Sequence, residues 1–111
     1  MKIEGEGELL RIFIGESDRH EGHPLHEAIV RLAREKGLAG ATVLRGMIGF
    51  GAHSRIHTTK ILRLSEDLPI VVEIVDRPER IASILPDLDA MVHEGLMTLE
   101  KVRIIKYRHP V

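Results

Sequence analysis

The sequence predicts an α+β fold in the order strand, helix, strand, strand, helix, strand, and three observations carry that prediction. Residues 25–33 and 81–92 place apolar side chains at the three- and four-residue spacing of one helical face. Short runs rich in β-branched residues flank them, residues 70–75 being the most apolar. Clusters of Gly, Pro and polar residues separate the segments. Two such strand–helix–strand units form the ferredoxin-like βαββαβ arrangement, a four-stranded antiparallel sheet with two helices on one face.

Taken in order, residues 9–14 read as a buried strand in which Ile12, Phe13 and Ile14 end at Gly15. Residues 15–23, GESDRHEGH, form a polar loop. Pro24 suits the first helical position, where its missing N–H costs nothing. The spacing predicts a helix over 24–36, with Leu25, Ala28, Ile29, Leu32 and Ala33 inward and Gly37 just past its end. The second strand covers 41 to about 50, and residues 61–64 resume it or pair locally after a loop. Ser65, Glu66, Asp67 and Leu68 make a turn before Pro69, and residues 70–75 form a central strand. Asp76 is expected to cap a second helix opened by Pro78, with Ile81, Ile84, Leu85, Leu88, Met91 and Val92 inward. An interior proline costs about 3 kcal/mol, so Pro86 is expected to kink that helix or split it. Gly95 ends it, and residues 99–107 are the last strand.

Alternation divides the sheet into two faces. Leu10, Ile12, Ile14, Ile70, Val72, Ile74, Val102 and Ile104 are assigned to the face under the helices. Leu9, Arg11, Phe13, Val71, Glu73, Val75, Leu99, Lys101, Arg103 and Ile105 are assigned to the opposite face, which is too apolar to stay in water. Subunits of a homo-oligomer are expected to cover it, with Arg11, Glu73, Lys101 and Arg103 paired near the interface or holding an anion.

Composition bounds the function. The 111 residues read as one domain, 1–111. Aromatic residues are 3% with no Trp, which removes the stacking platforms that single-stranded nucleic acid needs. With 16 basic against 17 acidic residues, no global field draws the chain to nucleic acid or a membrane. The absence of Cys excludes disulfides, thiolate nucleophiles and Cys-based zinc sites. The opening MKIEGEGELL carries acids where a signal peptide needs an apolar run, and no stretch approaches the ~20 apolar residues of a membrane span. A cytoplasmic protein without membrane insertion is expected.

The chemistry concentrates in residues 37–60, GLAGATVLRGMIGFGAHSRIHTTK. Gly46, Gly49 and Gly51 allow close backbone approach to a ligand, and Ser54, Arg55, His57, Thr58, Thr59 and Lys60 supply groups suited to an anion. A solvated connection with glycines for turning is the competing reading. His20, His23 and His26 stand three apart, and His53 and His57 four apart. Those spacings bind a metal only on a shared helix face. Neither stretch reads as continuous helix, so the histidines are assigned to solvated loops and no metal site is expected. No H-E-x-x-H or Walker A motif occurs, and no nucleophile, base and acid can be ordered into a triad.

The segments GLAGATV, GFG and EKVRIIKY resemble the corresponding pieces of the PII signalling proteins. The longer runs ELLRIFIGESD, HPLHEAIVRLAREKGLAGATVLRGMIGFG and SRIHTTKILRLSEDLPIVVEIVD resemble, almost end to end, an uncharacterised bacterial and archaeal family of PII-like proteins. The resemblance implies a ferredoxin-like homotrimer that binds an adenine nucleotide or similar small anion between subunits and relays the bound state through the loop after the second strand. It implies Thr42 near the adenine, Gly49, Phe50 and Gly51 wrapping the nucleotide, and Lys101 and Arg103 on phosphate. Gly95 is what remains of the family's phosphate turn, here shortened to HEGLMT, and Arg55 joins the set from the loop. No cofactor is required, and a regulatory module rather than an enzyme is implied. One alternative is an enzyme acting on a phosphorylated substrate, with His53 or His57 as acid or base and Arg55, Lys101 and Arg103 holding phosphate. Another is a metal-responsive trimer similar to divalent-cation tolerance proteins.

Overall fold

A computed structural model describes residues 2–50 and 67–110. Its longest strand, β1 (Lys2–Gly15), lies inside a four-stranded sheet. A two-residue hairpin follows, β2 (Arg19–His20) and β3 (His23–Pro24), and leads into α1 (Leu25–Glu35). Then come β4 (Thr42–Arg45), β5 (Pro69–Asp76), α2 (Pro78–Met91) and β6 (Leu96–Arg108). The sheet order is β4-β5-β1-β6, with every neighbouring pair antiparallel. This is the ferredoxin-like arrangement expected from the sequence, with both helices against one face.

That face is the core. Leu10, Ile12 and Ile14 of β1 and Ile70, Val72 and Ile74 of β5 meet Leu25, Ile29 and Ala33 of α1 and Ile81, Ile84 and Leu88 of α2. Each fully buried aliphatic side chain contributes about 1.5–3 kcal/mol relative to exposure, so the helices are held to the sheet by this layer. No helix among the described residues is long and apolar enough to cross a membrane.

Several boundaries differ from the sequence reading. β1 starts at Lys2 because Lys2 to Gly7 pair with the far end of β6, although KIEGEGE has little strand propensity of its own. The register shifts between Ile3 and Gly5. The polar loop 15–23 contains the β2–β3 hairpin, turned by Glu21 (φ 50°) and Gly22 (φ 81°), the two positive values a tight two-residue turn requires. Pro24 belongs to that hairpin and caps α1 from outside, so it does not open the helix. β4 stops at Arg45, where Gly46 N–H donates to the Pro69 carbonyl at 2.7 Å. Residues 61–64 lie outside the described residues.

α2 runs unbroken through Pro86. Pro86 and Ala82, whose carbonyl loses its helical donor, are both exposed, so water can replace the missing bond. The face assignment of β6 is also corrected. Leu10 opposes Leu99, Ile12 opposes Met97, Glu8 opposes Lys101 and Glu6 opposes Arg103. Leu99, Lys101 and Arg103 therefore share the helix side, whereas Leu96, Thr98, Glu100, Val102 and Ile104 share the open side. Along this stretch the half-buried residues are Val102 and Ile104, on the open side, while Leu99, Lys101 and Arg103 on the helix side are exposed.

Gly95, between α2 and β6, has φ 156°, and a Cβ there would lie 2.7 Å from the Phe13 carbonyl oxygen and 3.2 Å from Val92 Cγ1. The chain needs glycine to pass this close to β1. Gly95→Ala is expected to lower unfolding free energy by about 1–3 kcal/mol with or without any ligand, read by urea denaturation.

Candidate functional site

The loop 37–41 leaves α1 with Gly37 N–H bonded to the Arg34 carbonyl at 3.1 Å and Leu38 N–H to that of Ala33 at 3.0 Å. Leu38 drops into the core, which fixes the loop from below. Three other elements fix it from the sides. Ala39 N–H donates to Asp76 Oδ2 at 2.8 Å, Tyr107 Oη–H donates to the Ala39 carbonyl at 3.0 Å, and Arg80 Nη1 donates to the Gly37 carbonyl. Asp76 is fully buried, and its second oxygen accepts from Arg77 N–H at 2.7 Å with Arg80 Nε 3.9 Å away. Asp76 is thus not the cap of α2. Arg77 holds the cap position without a side-chain bond, while Asp76 ties the end of β5 to the loop before β4. A buried carboxylate stays only when its oxygens are satisfied, and here main-chain N–H groups and a nearby guanidinium do that.

A cavity of about 460 Å³ opens where this loop meets the end of β6. Val30, Ala33, Leu38 and Ala41 give it aliphatic walls, Tyr107 an aromatic one, and Arg34 and His109 lie at its polar margin. A second cavity, of about 470 Å³, lies between the β2–β3 hairpin and the helices, lined in part by His20, His23, Arg31 and Asp87. His20 and His23 face each other across the hairpin, and His26 Nδ1 is buried without a partner. Among the described residues no three metal-binding side chains converge.

Thr42 opens β4 and stands in a cross-sheet row with Glu73, Arg11 and Thr98. Within that row Arg11 Nε is 2.9 Å from Glu73 Oε2, and Arg11 Nη1 reaches across to Glu100 Oε1 of the neighbouring row. The hydrogen bond to Glu73, reinforced by Glu100, raises the pKa of Arg11 above its ordinary value. Leu44, Val71, Phe13 and Leu96 form the next row, and Val75, Leu9 and Glu100 lie on the other side. The open face is therefore an ion cluster between partly apolar rows.

Past β4, a Cβ on Gly46 would meet Pro69 Cγ at 2.6 Å, and one on Gly49 would meet it at 3.2 Å. These glycines are needed for packing at the loop base. That base is stapled by Arg45 Nη2 to Glu16 Oε2 at 2.6 Å, and by Ser17, whose N–H and hydroxyl both donate to Asp67 Oδ1. Phe50 is 66% exposed, beside Met47 and Ile48, so the loop leaves the sheet as an apolar rather than a polar segment. Gly51, Arg55, His53 and His57 lie outside the described residues, as does the rest of the anion-suited run to Lys60.

Lys101 and Arg103 are exposed on β6. Thr42 lies on β4, and Gly49 and Phe50 follow it, so two strands separate the groups; at ~4.8 Å per strand the sideways separation alone is roughly 14 Å. One copy of the chain does not bring them together. Glu8 and Glu6 are the cross-strand neighbours of Lys101 and Arg103, the cations that the resemblance assigns to phosphate.

The model of the DUF190 family, described as "Uncharacterized ACR, COG1993", matches residues 7–104. The chain belongs to the DUF190 family. It is 42% identical over 97 residues to a UPF0166 protein of Aquifex aeolicus, covering 87% of this chain and 91% of that one. A UPF0166 protein of Methanocaldococcus jannaschii is 31% identical over 102 residues, covering 91% and 94%. Among solved structures, the fold is similar to that of CPII from Thiomonas intermedia bound to ADP, AMP and acetate, with TM-score 0.58, 15% identity and coverage of 96% and 92%. A second CPII structure, bound to ADP and bicarbonate, matches with TM-score 0.58, 17% identity and coverage of 94% and 91%. DUF190 is thus a family with a PII-like fold, as the sequence resemblance implied.

In this DUF190 protein the residues that organise the loop, Asp76, Arg80 and Tyr107, were not legible as such from sequence. A carboxylate next to a helix start reads first as a cap, and only the strand register shows that Asp76 faces the loop. Asp76→Ala is expected to cost about 3 kcal/mol, because two main-chain N–H groups lose a buried acceptor. Urea denaturation gives the loss, and faster hydrogen exchange at Ala39 localises it.

Proposed function

We propose that this protein is a PII-like regulatory module whose copies assemble as a trimer and bind an adenine nucleotide in the clefts between them. The observation that carries the reading is the placement of the two halves of the expected site at opposite edges of one sheet. Thr42, Gly49 and Phe50 belong to the β4 edge, and Lys101 and Arg103 to the β6 edge. Such halves make one site only when the β4 edge of one copy meets the β6 edge of the next.

The open face favours such assembly. Phe13, Leu44, Val75 and Leu96 are each at least one-third exposed there, around charges already paired as Arg11–Glu73–Glu100. An apolar surface whose charges are largely paired, with one carboxylate in excess, suits burial against a copy that supplies a cation. Met47, Ile48 and Phe50 extend it at the β4 edge. The CPII structures to which the fold is similar hold ADP, which supports the ligand class. Regulation then works by relaying the bound state through the segment that follows β4.

Titration calorimetry with ADP tests the reading. Binding is expected for the wild-type chain, and Arg103→Ala is expected to weaken it roughly ten- to a hundredfold, since charge-assisted hydrogen bonds contribute about 1.5–3 kcal/mol each. Glu6→Gln, which removes the carboxylate opposite Arg103, is expected to strengthen it. Absence of heat with ADP, AMP and ATP at millimolar concentration would remove the nucleotide claim and leave the fold standing.

A further inference from the structure

We infer that the cavity between the loop 37–41 and the end of β6 is a binding site for a small planar aromatic or heteroaromatic ring carrying an anionic group. The walls select the ring. Val30, Ala33 and Leu38 present aliphatic surface, and Tyr107 presents an aromatic side chain whose hydroxyl is already engaged with the Ala39 carbonyl. The phenol is therefore held in place, and a ring that packs on it loses little by ordering it. About 460 Å³ is within the range of small-molecule pockets and ample for one or two fused rings.

The margin selects the charge. Arg34 projects from the last turn of α1 and forms no ion pair among the described residues, unlike Lys36, which lies 3.2 Å from Asp87. None of the ten residues lining the cavity is an Asp or Glu. An anion beside Arg34 meets a planar, permanently charged donor. Gly40 lines the cavity, and a Cβ on it would meet nothing within 4 Å, so a larger side chain is accommodated there without a backbone clash. Asp76 and Arg80 hold the loop from behind, so the cavity is a fixed feature of the fold and does not depend on a second copy.

The inference does not rest on the nucleotide reading, because AMP and an aromatic carboxylate such as benzoate satisfy the same chemistry and are distinguished by direct titration. The chain offers an internal reporter. Tyr107 is its one tyrosine and it has no Trp, so tyrosine emission reports on this cavity alone. Titration of the full chain with AMP and with benzoate is expected to give saturable change in emission with at least one of them. Gly40→Leu, which adds bulk at a lining position with no positive φ and no backbone clash, is expected to reduce that affinity at least tenfold while the urea midpoint stays unchanged. Arg34→Gln, on an exposed helix surface, is expected to reduce it about tenfold without affecting folding. Unchanged emission with both probes at millimolar concentration, or wild-type affinity in both variants, overturns the inference. Calorimetric ADP binding with unchanged emission would overturn it too, while leaving the nucleotide reading intact.

Discussion

The Asp76 carboxylate is the constraint on which the loop before β4 and the cavity beside it depend. It sits fully buried where β5 gives way to α2, and it accepts N–H groups from both the start of the helix and the loop that enters β4. The aliphatic layer holds helices to sheet but is indifferent to where the connecting loops lie. Hydrogen bonding is directional, so it supplies what packing does not. With Tyr107 reaching the same residue from β6 and Arg80 reaching Gly37 from α2, one short loop is referenced to three elements. The cavity wall and the entry to Thr42 inherit that position.

Burial made much of the fold legible. Ile12, Ile14, Ile70, Val72 and Ile74 are on the face their alternation assigned, and Leu25, Ile29, Ala33, Ile81, Ile84 and Leu88 point inward as their helical spacing required. Where burial is one-sided, register and face follow from sequence. Where it is absent, they do not. The faces of β6 were interchanged because the apolar Val102 and Ile104 were taken as helix-facing, whereas they are half-buried on the open side opposite Gly7 and Gly5 and the helix side holds the exposed Lys101 and Arg103. The first seven residues of β1 were missed because Gly and Glu carry no strand signal, and only pairing with β6 makes them extended.

Site residues were less legible because sequence shows which groups exist and not what they oppose. Gly46, Gly49 and Gly95 read as ligand-approach positions, yet each also meets a packing demand, from Pro69 or from the β1 backbone. Lys101 and Arg103 read as phosphate clamps, yet the register sets Glu8 and Glu6 beside them. A carboxylate at the facing strand position lowers the positive potential that an anion meets there. A subunit interface that engaged those carboxylates would restore the cations to a ligand, which links affinity to assembly.

Native mass spectrometry of the full chain with ADP tests that account most directly, because it reads assembly and occupancy together. From a chain of 12.5 kDa, the account predicts a trimer that takes up to three ADP, with no adduct on monomer. Monomer as the sole species, or a trimer that never carries ADP, would contradict it.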